Sequence, residues 1–251
     1  MNVYDDIKCL YNESELYNNE FSNYKDDFSF WKYWIANLSP DSVLEIGIGN
    51  GRLVNLLSPL VNRYDGLEFS ENIINDFNKK YPKFTGTIYN QDMKKIYINH
   101  TYDLIILPFN TFVYLYTLSD IFDFFEGIKR ISHQDTLIII DIFNPTLNDL
   151  KDSITYRLCE TFKFKKRDCQ LYEKHHYDSS KQIIFYQKKY IYDNKKIELN
   201  LPVRVFFHQE ILNLISMNGF RLIKELGDYN NEKFTSQSRK QILLLKKERC
   251  Y

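Results

Sequence analysis

Along the first 145 residues the apolar positions switch repeatedly between a helical and a strand rhythm. Residues 1–26 are polar, rich in Tyr and Asn, and weakly periodic. Over 28–38, Trp31, Trp34, Ile35 and Leu38 recur at helical spacing, predicting a helix that Ser39-Pro40-Asp41 ends. Val43–Ile46 reads as a short buried strand closing on a glycine cluster, with a helix from near Gly51 to the Ser58-Pro59 break. The alternation then repeats. Tyr64–Glu68 reads as a strand and Ser70–Lys80 as a helix with Ile73, Ile74 and Phe77 inward, stopped by Pro82. Thr87–Asn90 is a short strand, Tyr102–Leu107 a fully buried one and Thr136–Ile142 another. Between the last two, Ser119–Ile131 is a helix with Ile121, Phe124, Phe125, Ile128 and Ile131 on one face. Strands apolar on both faces, alternating with helices, predict a doubly wound α/β fold: a parallel sheet covered on both sides.

After Asn144-Pro145 the rhythm changes. From about 154 to 206 the chain reads as strands alone, with period-two alternation in Phe162-Lys163-Phe164-Lys165 and Ile183-Ile184-Phe185-Tyr186 and turns at Asp178-Ser179-Ser180 and Asp193-Asn194. This predicts an antiparallel insertion on one rim of the main sheet. A helix over 209–218, capped by Asn218-Gly219, precedes closing strands at Phe220–Leu226 and Gln241–Lys246. With no repeat and no low-complexity linker, one domain with an inserted lid is expected.

Composition narrows the partners. The chain has 251 residues, 44% hydrophobic and 26% charged, which suits one globular α/β domain with an insertion. Its 20 Tyr and 19 Phe can build a core and equally line a pocket for an organic ligand. Lys and Arg total 33, as do Asp and Glu, and the densest basic run, Lys163-Phe164-Lys165-Lys166-Arg167, alternates with aromatics like the wet face of a strand. A nucleic-acid partner is therefore not expected. Cys9, Cys159, Cys169 and Cys250 lack metal-site spacing and read as free thiols of a cytoplasmic protein, with no metal. The acidic, polar stretch Met1–Asp6 is unlike a signal peptide, and no apolar run approaches the roughly 20 residues that cross a bilayer, so no membrane partner is expected.

The chemistry concentrates at Glu45-Ile46-Gly47-Ile48-Gly49-Asn50-Gly51-Arg52. Glycines there let the backbone take positive φ and approach a ligand with no Cβ in the way. The loop amides and the helix start then face the ligand's polar groups. A dinucleotide requires G-x-G-x-x-G/A, whose third small residue packs at the pyrophosphate. Arg52 occupies that position here, which argues against NAD or FAD. Glu68, closing the second strand, is placed to accept both ribose hydroxyls, with Phe69 covering one face of the adenine. After the third strand, Asp92 is placed to accept from the adenine amine and the Met93 amide to donate to a ring nitrogen.

Together these motifs resemble the class I S-adenosylmethionine-dependent methyltransferases, specifically over residues 28–145 and by general layout beyond. The resemblance implies a seven-stranded sheet with one antiparallel strand. It implies that Glu45, Gly47, Gly49, Asn50, Gly51 and Arg52 surround the methionine half of S-adenosylmethionine, and that Leu107, Pro108, Phe109 and Asn110 close the strand where the methyl is passed on. Asn50 departs from the Thr or Ser of many relatives. The segment Tyr24…Asp27-Phe28…Trp31 is similar to one that folds over the cofactor, which assigns Trp31 to it. The stretch Pro202–Glu210, with Gly227-Asp228-Tyr229, Phe234-Thr235 and Ser238-Arg239, is similar to small-molecule N-methyltransferases acting on amino sugars, on glycine and sarcosine, or on the amino terminus of small peptides. His208 stands where such relatives commonly have Thr or Ser. The layout implied is a methyltransferase domain over 1–251: cap helices at 1–40, cofactor core at 41–153, substrate lid at 154–206, and a helix with closing strands at 207–251.

An in-line displacement on an activated methyl asks the protein mainly to align the two reactants and exclude water, and an amine must arrive neutral. The substrate pocket is expected at the carboxyl ends of the strands, under the insertion. Tyr24, Asn110 and Asp141 are the candidate catalytic groups, and Phe112, Asn144 and Arg204 the candidate acceptor contacts. The acceptor expected is a small molecule or small peptide, and a homodimer through the lid is compatible with the layout. Three alternatives stay open: O- or C-methylation of a natural product, using His133, His175 or His208 as base; an RNA methyltransferase, although Leu107-Pro108-Phe109-Asn110 lacks the [DN]-P-P-[YF] strand end; and a cofactor-binding regulator. His175 and His176, adjacent on a strand, should face opposite sides and not pair on a metal.

Overall fold

The computed structural model describes residues 14–21 and 24–248; Cys9, Cys250 and the Met1–Asp6 stretch lie outside them. In chain order the elements are α1 (Ser14–Glu20), α2 (Phe28–Leu38), β1 (Ser42–Ile46), α3 (Val54–Leu57), β2 (Arg63–Glu68), α4 (Glu71–Lys80), β3 (Ile88–Asn90), β4 (Tyr102–Leu107), α5 (Leu118–Arg130) and β5 (Ser132–Phe143). Then come β6 (Ser153–Phe164), β7 (Arg167–Asp178), β8 (Ile183–Tyr192), β9 (Lys195–Arg204), α6 (His208–Met217), β10 (Phe220–Leu226) and β11 (Lys240–Lys247). They fall into two compact units, one of Met1–Tyr24 with Pro145–Val205 and one of Lys25–Asn144 with Phe206–Tyr251.

The larger unit holds a seven-stranded sheet in the order β10-β11-β5-β4-β1-β2-β3. Neighbours from β5 to β3 run parallel, while β11 is antiparallel to both β5 and β10. The doubly wound sheet with a single reversed strand is thus the one expected. Every residue of β1 is buried, as a central strand covered on both faces requires. Local signals set the helix starts. Ser70 accepts the Ile73 amide at the head of α4, and Thr117 and Asp120 form a reciprocal capping box on α5. No helix of the described residues is long and apolar enough to cross a membrane.

The smaller unit is a four-stranded antiparallel sheet, β6-β7-β8-β9. Hairpin turns at Lys165-Lys166 and Asp193-Asn194 place both central residues at positive φ, which matches the strand twist. The basic run is therefore split: Lys163 lies on a strand, but Lys165 and Lys166 form a turn. Helix α1 is fastened to the sheet by Glu20, whose carboxylate accepts from Lys188 Nζ and Tyr190 OH at 2.5 Å each. Cys159 and Cys169 are unpaired thiols, one exposed and one buried.

Three readings of the pattern are corrected. Leu38 is 41% exposed, and Phe30 fills the core from α2 instead. The helix after β1 is a single turn followed by a 3-10 turn at Ser58–Leu60, because Gly51 sits at φ +72°, outside helical space. A Cβ on Gly51 would stand 2.5 Å from the Tyr81 ring and 2.6 Å from the Phe77 ring. Phe112, a candidate acceptor contact, is fully buried, packed on Phe124, Phe125 and Phe206 with centroids 5.4, 6.0 and 5.0 Å away. Its role is core packing. Phe112→Ala is expected to cost about 3–5 kcal/mol of stability, read as a lowered urea midpoint at unchanged slope.

Candidate active site

The turn after β1 is built on three left-handed glycines, Gly47, Gly49 and Gly51, at φ +73°, +55° and +72°. The Gly47 and Ile48 amides both donate to Leu67 O, at 2.8 and 3.2 Å, which ties the turn to the end of β2. A Cβ on Gly47 would meet the Thr111 side chain at 2.7 Å, whereas one on Gly49 would have nothing nearer than Gly47 O at 3.8 Å. Gly49 therefore faces open space, as a loop that admits a ligand against its backbone should.

Beside it stands Glu68, buried at the end of β2. Its Oε1 accepts the Phe69 and Ser70 amides at 2.9 Å each, and its Oε2 accepts the Gly49 amide at 3.2 Å. Burial raises its pKa, and these three amides oppose that shift. With a single bond on Oε2, the carboxylate keeps acceptor capacity on that oxygen. Phe69 is 40% exposed. The Gln91 amide donates to Glu68 O at 3.1 Å, which brings the Asp92-Met93 loop alongside. Asp92 is 44% exposed and pairs with Lys94 Nζ at 3.4 Å, while Met93 is half-buried.

On the other side of the turn, Arg52 reaches α2. Its guanidinium meets Asp27 bidentately at 2.5 and 2.7 Å and lies 5.5 and 5.3 Å from the Phe28 and Phe109 ring centroids. Trp31 is a correction: assigned to the cofactor, it is fully buried, and its indole N–H donates to Asp27 at 2.9 Å. It orients the carboxylate that holds Arg52. Glu45 is also buried, with Tyr64 OH donating to it at 2.5 Å. Burial pushes its pKa up to about 8, against the opposing pull of Tyr64 and Arg52.

At the end of β4, Leu107 is buried, and after Pro108 the backbone makes two successive left-handed steps, Phe109 at φ +53° and Asn110 at +63°. Asp141, fully buried at the facing part of β5, holds both. Its Oδ2 accepts the Phe109 amide at 3.0 Å and its main-chain O accepts the Asn110 amide at 3.0 Å. The same carboxylate accepts Tyr229 OH at 2.7 Å and Lys240 Nζ at 2.9 Å. Asp141 is thus engaged by the protein's own groups rather than offered to a substrate. Asn110 Oδ1 is buried with no hydrogen-bond partner.

The remaining candidates lie on several elements. Asn144 ties β5 to the loop before β11, through Ser238 O at 2.8 Å and Arg239 O at 2.9 Å. Tyr24, half-buried, and Arg204, buried at the end of β9, belong to the smaller unit. His133 meets Asp103 at 3.0 Å, at the amino ends of β4 and β5. His175 has a buried Nε2, whereas exposed His176 meets Asp152 at 2.8 Å, consistent with opposite faces. His208 stacks on Phe234, centroids 4.5 Å apart, with Nδ1 3.1 Å from Glu225. No group of three or more potential metal ligands converges among the described residues. Lys240 is absent from the sequence reading, as are the contacts of Tyr64 with Glu45, of Tyr229 with Asp141 and of Asp27 with Arg52. The one local signal available was Asp27 four residues before Trp31, on one helix face.

Glu45 makes the fold pH-dependent with a defined sign. A carboxyl raised from 4.5 to about 8 in the folded state contributes most below the lower value, and that contribution is lost as pH rises through the upper one. Measured by thermal denaturation, wild-type protein is expected to lose Tm relative to Glu45→Gln between about pH 5 and pH 8, with the difference constant above about pH 9. Parallel curves would contradict this.

No protein-family model and no curated protein matches the sequence. Solved structures do. An S-adenosylmethionine-dependent methyltransferase from Clostridium acetobutylicum superposes with a TM-score of 0.80 at 15% identity, over 96% of this chain and 100% of that one. The CcbJ methyltransferase of Streptomyces caelestis gives 0.76 at 16% identity, over 89% and 90%. The sugar N-methyltransferase KedS8 of a Streptoalloteichus species gives 0.74 at 12%, over 93% and 92%. The chain has the fold of the class I S-adenosylmethionine-dependent methyltransferases.

Proposed function

We propose that this protein transfers a methyl group from S-adenosylmethionine to the nitrogen of a small amine acceptor. The observation that carries the reading is the pairing of Glu68, a buried carboxylate with acceptor capacity on Oε2, with the open face of Gly49. A ribose hydroxyl donates to such an oxygen. Phe69 covers the adenine, Asp92 and the Met93 amide meet its edge, and the Gly47–Arg52 turn takes the methionine end. Arg52, clamped by Asp27, fills the place a pyrophosphate needs kept small. When bound, the sulfonium supplies an already activated methyl.

The chain's own task is then to orient the acceptor. A buried carbonyl oxygen without a donor is costly, about 1–3 kcal/mol. Asn110 Oδ1 is such an oxygen, and an acceptor N–H satisfies it while aligning the nitrogen lone pair. An amide oxygen is no base, so the acceptor must lose its ammonium proton to water before it binds, which suits an amine better than an alcohol. Of the imidazoles of the larger unit, His133 lies with Asp103 at the amino ends of β4 and β5, and His208 is stacked on Phe234 beside Glu225. The sugar N-methyltransferase among the fold relatives supports an amine as well.

Calorimetry tests the cofactor. S-adenosylmethionine and its demethylated product are expected to bind, and nicotinamide or flavin dinucleotides not to. Glu68→Ala is expected to weaken binding by about one order of magnitude, one charge-assisted hydrogen bond at about 1.5 kcal/mol. Binding of a dinucleotide alone would end the proposal. For the acceptor, a panel of amines, phenols, acids and RNA with labelled cofactor is expected to yield methylated amines. Asn110→Ala is expected to lower kcat there at least about tenfold.

A further inference from the structure

The two left-handed residues at the end of β4 are held by a longer network than the transfer itself needs. A non-glycine residue in this region is sterically disfavoured, less so for Asn. Phe109 and Asn110 adopt it in succession, and Asp141 takes the Phe109 amide on its carboxylate and the Asn110 amide on its main-chain O. The direction of that carboxylate is in turn set by Tyr229 OH on Oδ2 and Lys240 Nζ on Oδ1. The Lys240 ammonium also lies 4.7 Å from the Tyr229 ring centroid, so the three side chains brace one another.

Tyr229 sits on the loop between β10 and β11, and that loop is pinned independently. Asp228 Oδ1 accepts the Asn230 and Glu232 amides, the Gly227 amide donates to Glu232 O, and Asn231 Oδ1 accepts the Trp34 indole N–H at 2.9 Å. The Tyr229 ring packs 5.7 Å from Phe30. Removing only the hydroxyl therefore leaves loop and ring in place and strips one donor from Asp141.

We propose that Tyr229 is a positioning residue for methyl transfer: through Asp141 it holds Phe109 and Asn110 in their left-handed turn and so fixes where Asn110 Oδ1 stands. This rests on the reading of Asn110 as the group that meets the acceptor. Lys240 shares the task, but its removal would leave Asp141 buried without a counter-charge and damage the fold, so Tyr229 is the cleaner probe.

The test is Tyr229→Phe, examined in three ways. Amide exchange at Phe109 and Asn110 is expected to speed up about tenfold, with exchange elsewhere in the sheet unchanged. Turnover is expected to fall about tenfold, with cofactor affinity within about twofold of wild type. In the background of Asn110→Ala, adding Tyr229→Phe is expected to cost nothing further, since both act through one atom. Unchanged exchange at those two amides, or an additive loss in the double variant, overturns the proposal while methyl transfer by the wild type stands. A wild-type protein that transfers no methyl to any amine removes the reading beneath it, an outcome plainly different from the other two.

Discussion

Carboxylates taken out of water have to be held by donors, and three of them organise the carboxyl edge of the main sheet. Isolated burial of such a charge is prohibitive, so each must recruit partners from whatever part of the chain can supply them. Asp27 recruits a guanidinium and an indole N–H, Glu68 recruits three backbone amides, and Asp141 recruits an amide, a phenol and an ammonium. Each recruitment draws one loop into position. Asp27 brings Arg52 of the glycine turn to α2, Glu68 sets the bend from β2 into α4, and Asp141 shapes the exit of β4. The placement of these three loops thus follows from satisfying buried charge as well as from apolar packing.

The fold was legible because its signals are local and redundant. The strands of the core carry continuous apolar runs, the glycine turn interrupts one of them, and α4 and α5 announce their starts with Ser70 and with Thr117 and Asp120. Where the reading slipped, a position had two plausible environments. Leu38 has the spacing of a buried residue, but it closes the last turn of α2 beyond the reach of the sheet, and Phe30 on the neighbouring stripe goes in instead. Lys165 and Lys166 look like strand residues because nothing in their chemistry demands the left-handed turn they make.

At the site the division is similar. The positions of Gly49, Glu68 and the Asp92 loop were readable because each lies at the end of a strand that the apolar pattern marks. Trp31, Phe112 and Asp141 were assigned to ligands because aromatic rings and carboxylates serve ligands and interiors alike, and only burial and partners separate the two uses. Tyr229 reaches Asp141 across 88 residues and Lys240 across 99, distances over which no periodicity speaks. Asn110 was named for its place after β4, but its unsatisfied oxygen is a fact of three dimensions.

The place of β11 has a consequence for how the molecule comes into being. Strand β11 follows both β5 and β10 in sequence yet lies between them, so the sheet has a gap until β11 has been made and docks. Until then the flank of β5 offers an unpaired backbone row of the kind that templates aggregation. Closure of that side of the sheet therefore waits on β11, and the edge stays open until this strand pairs.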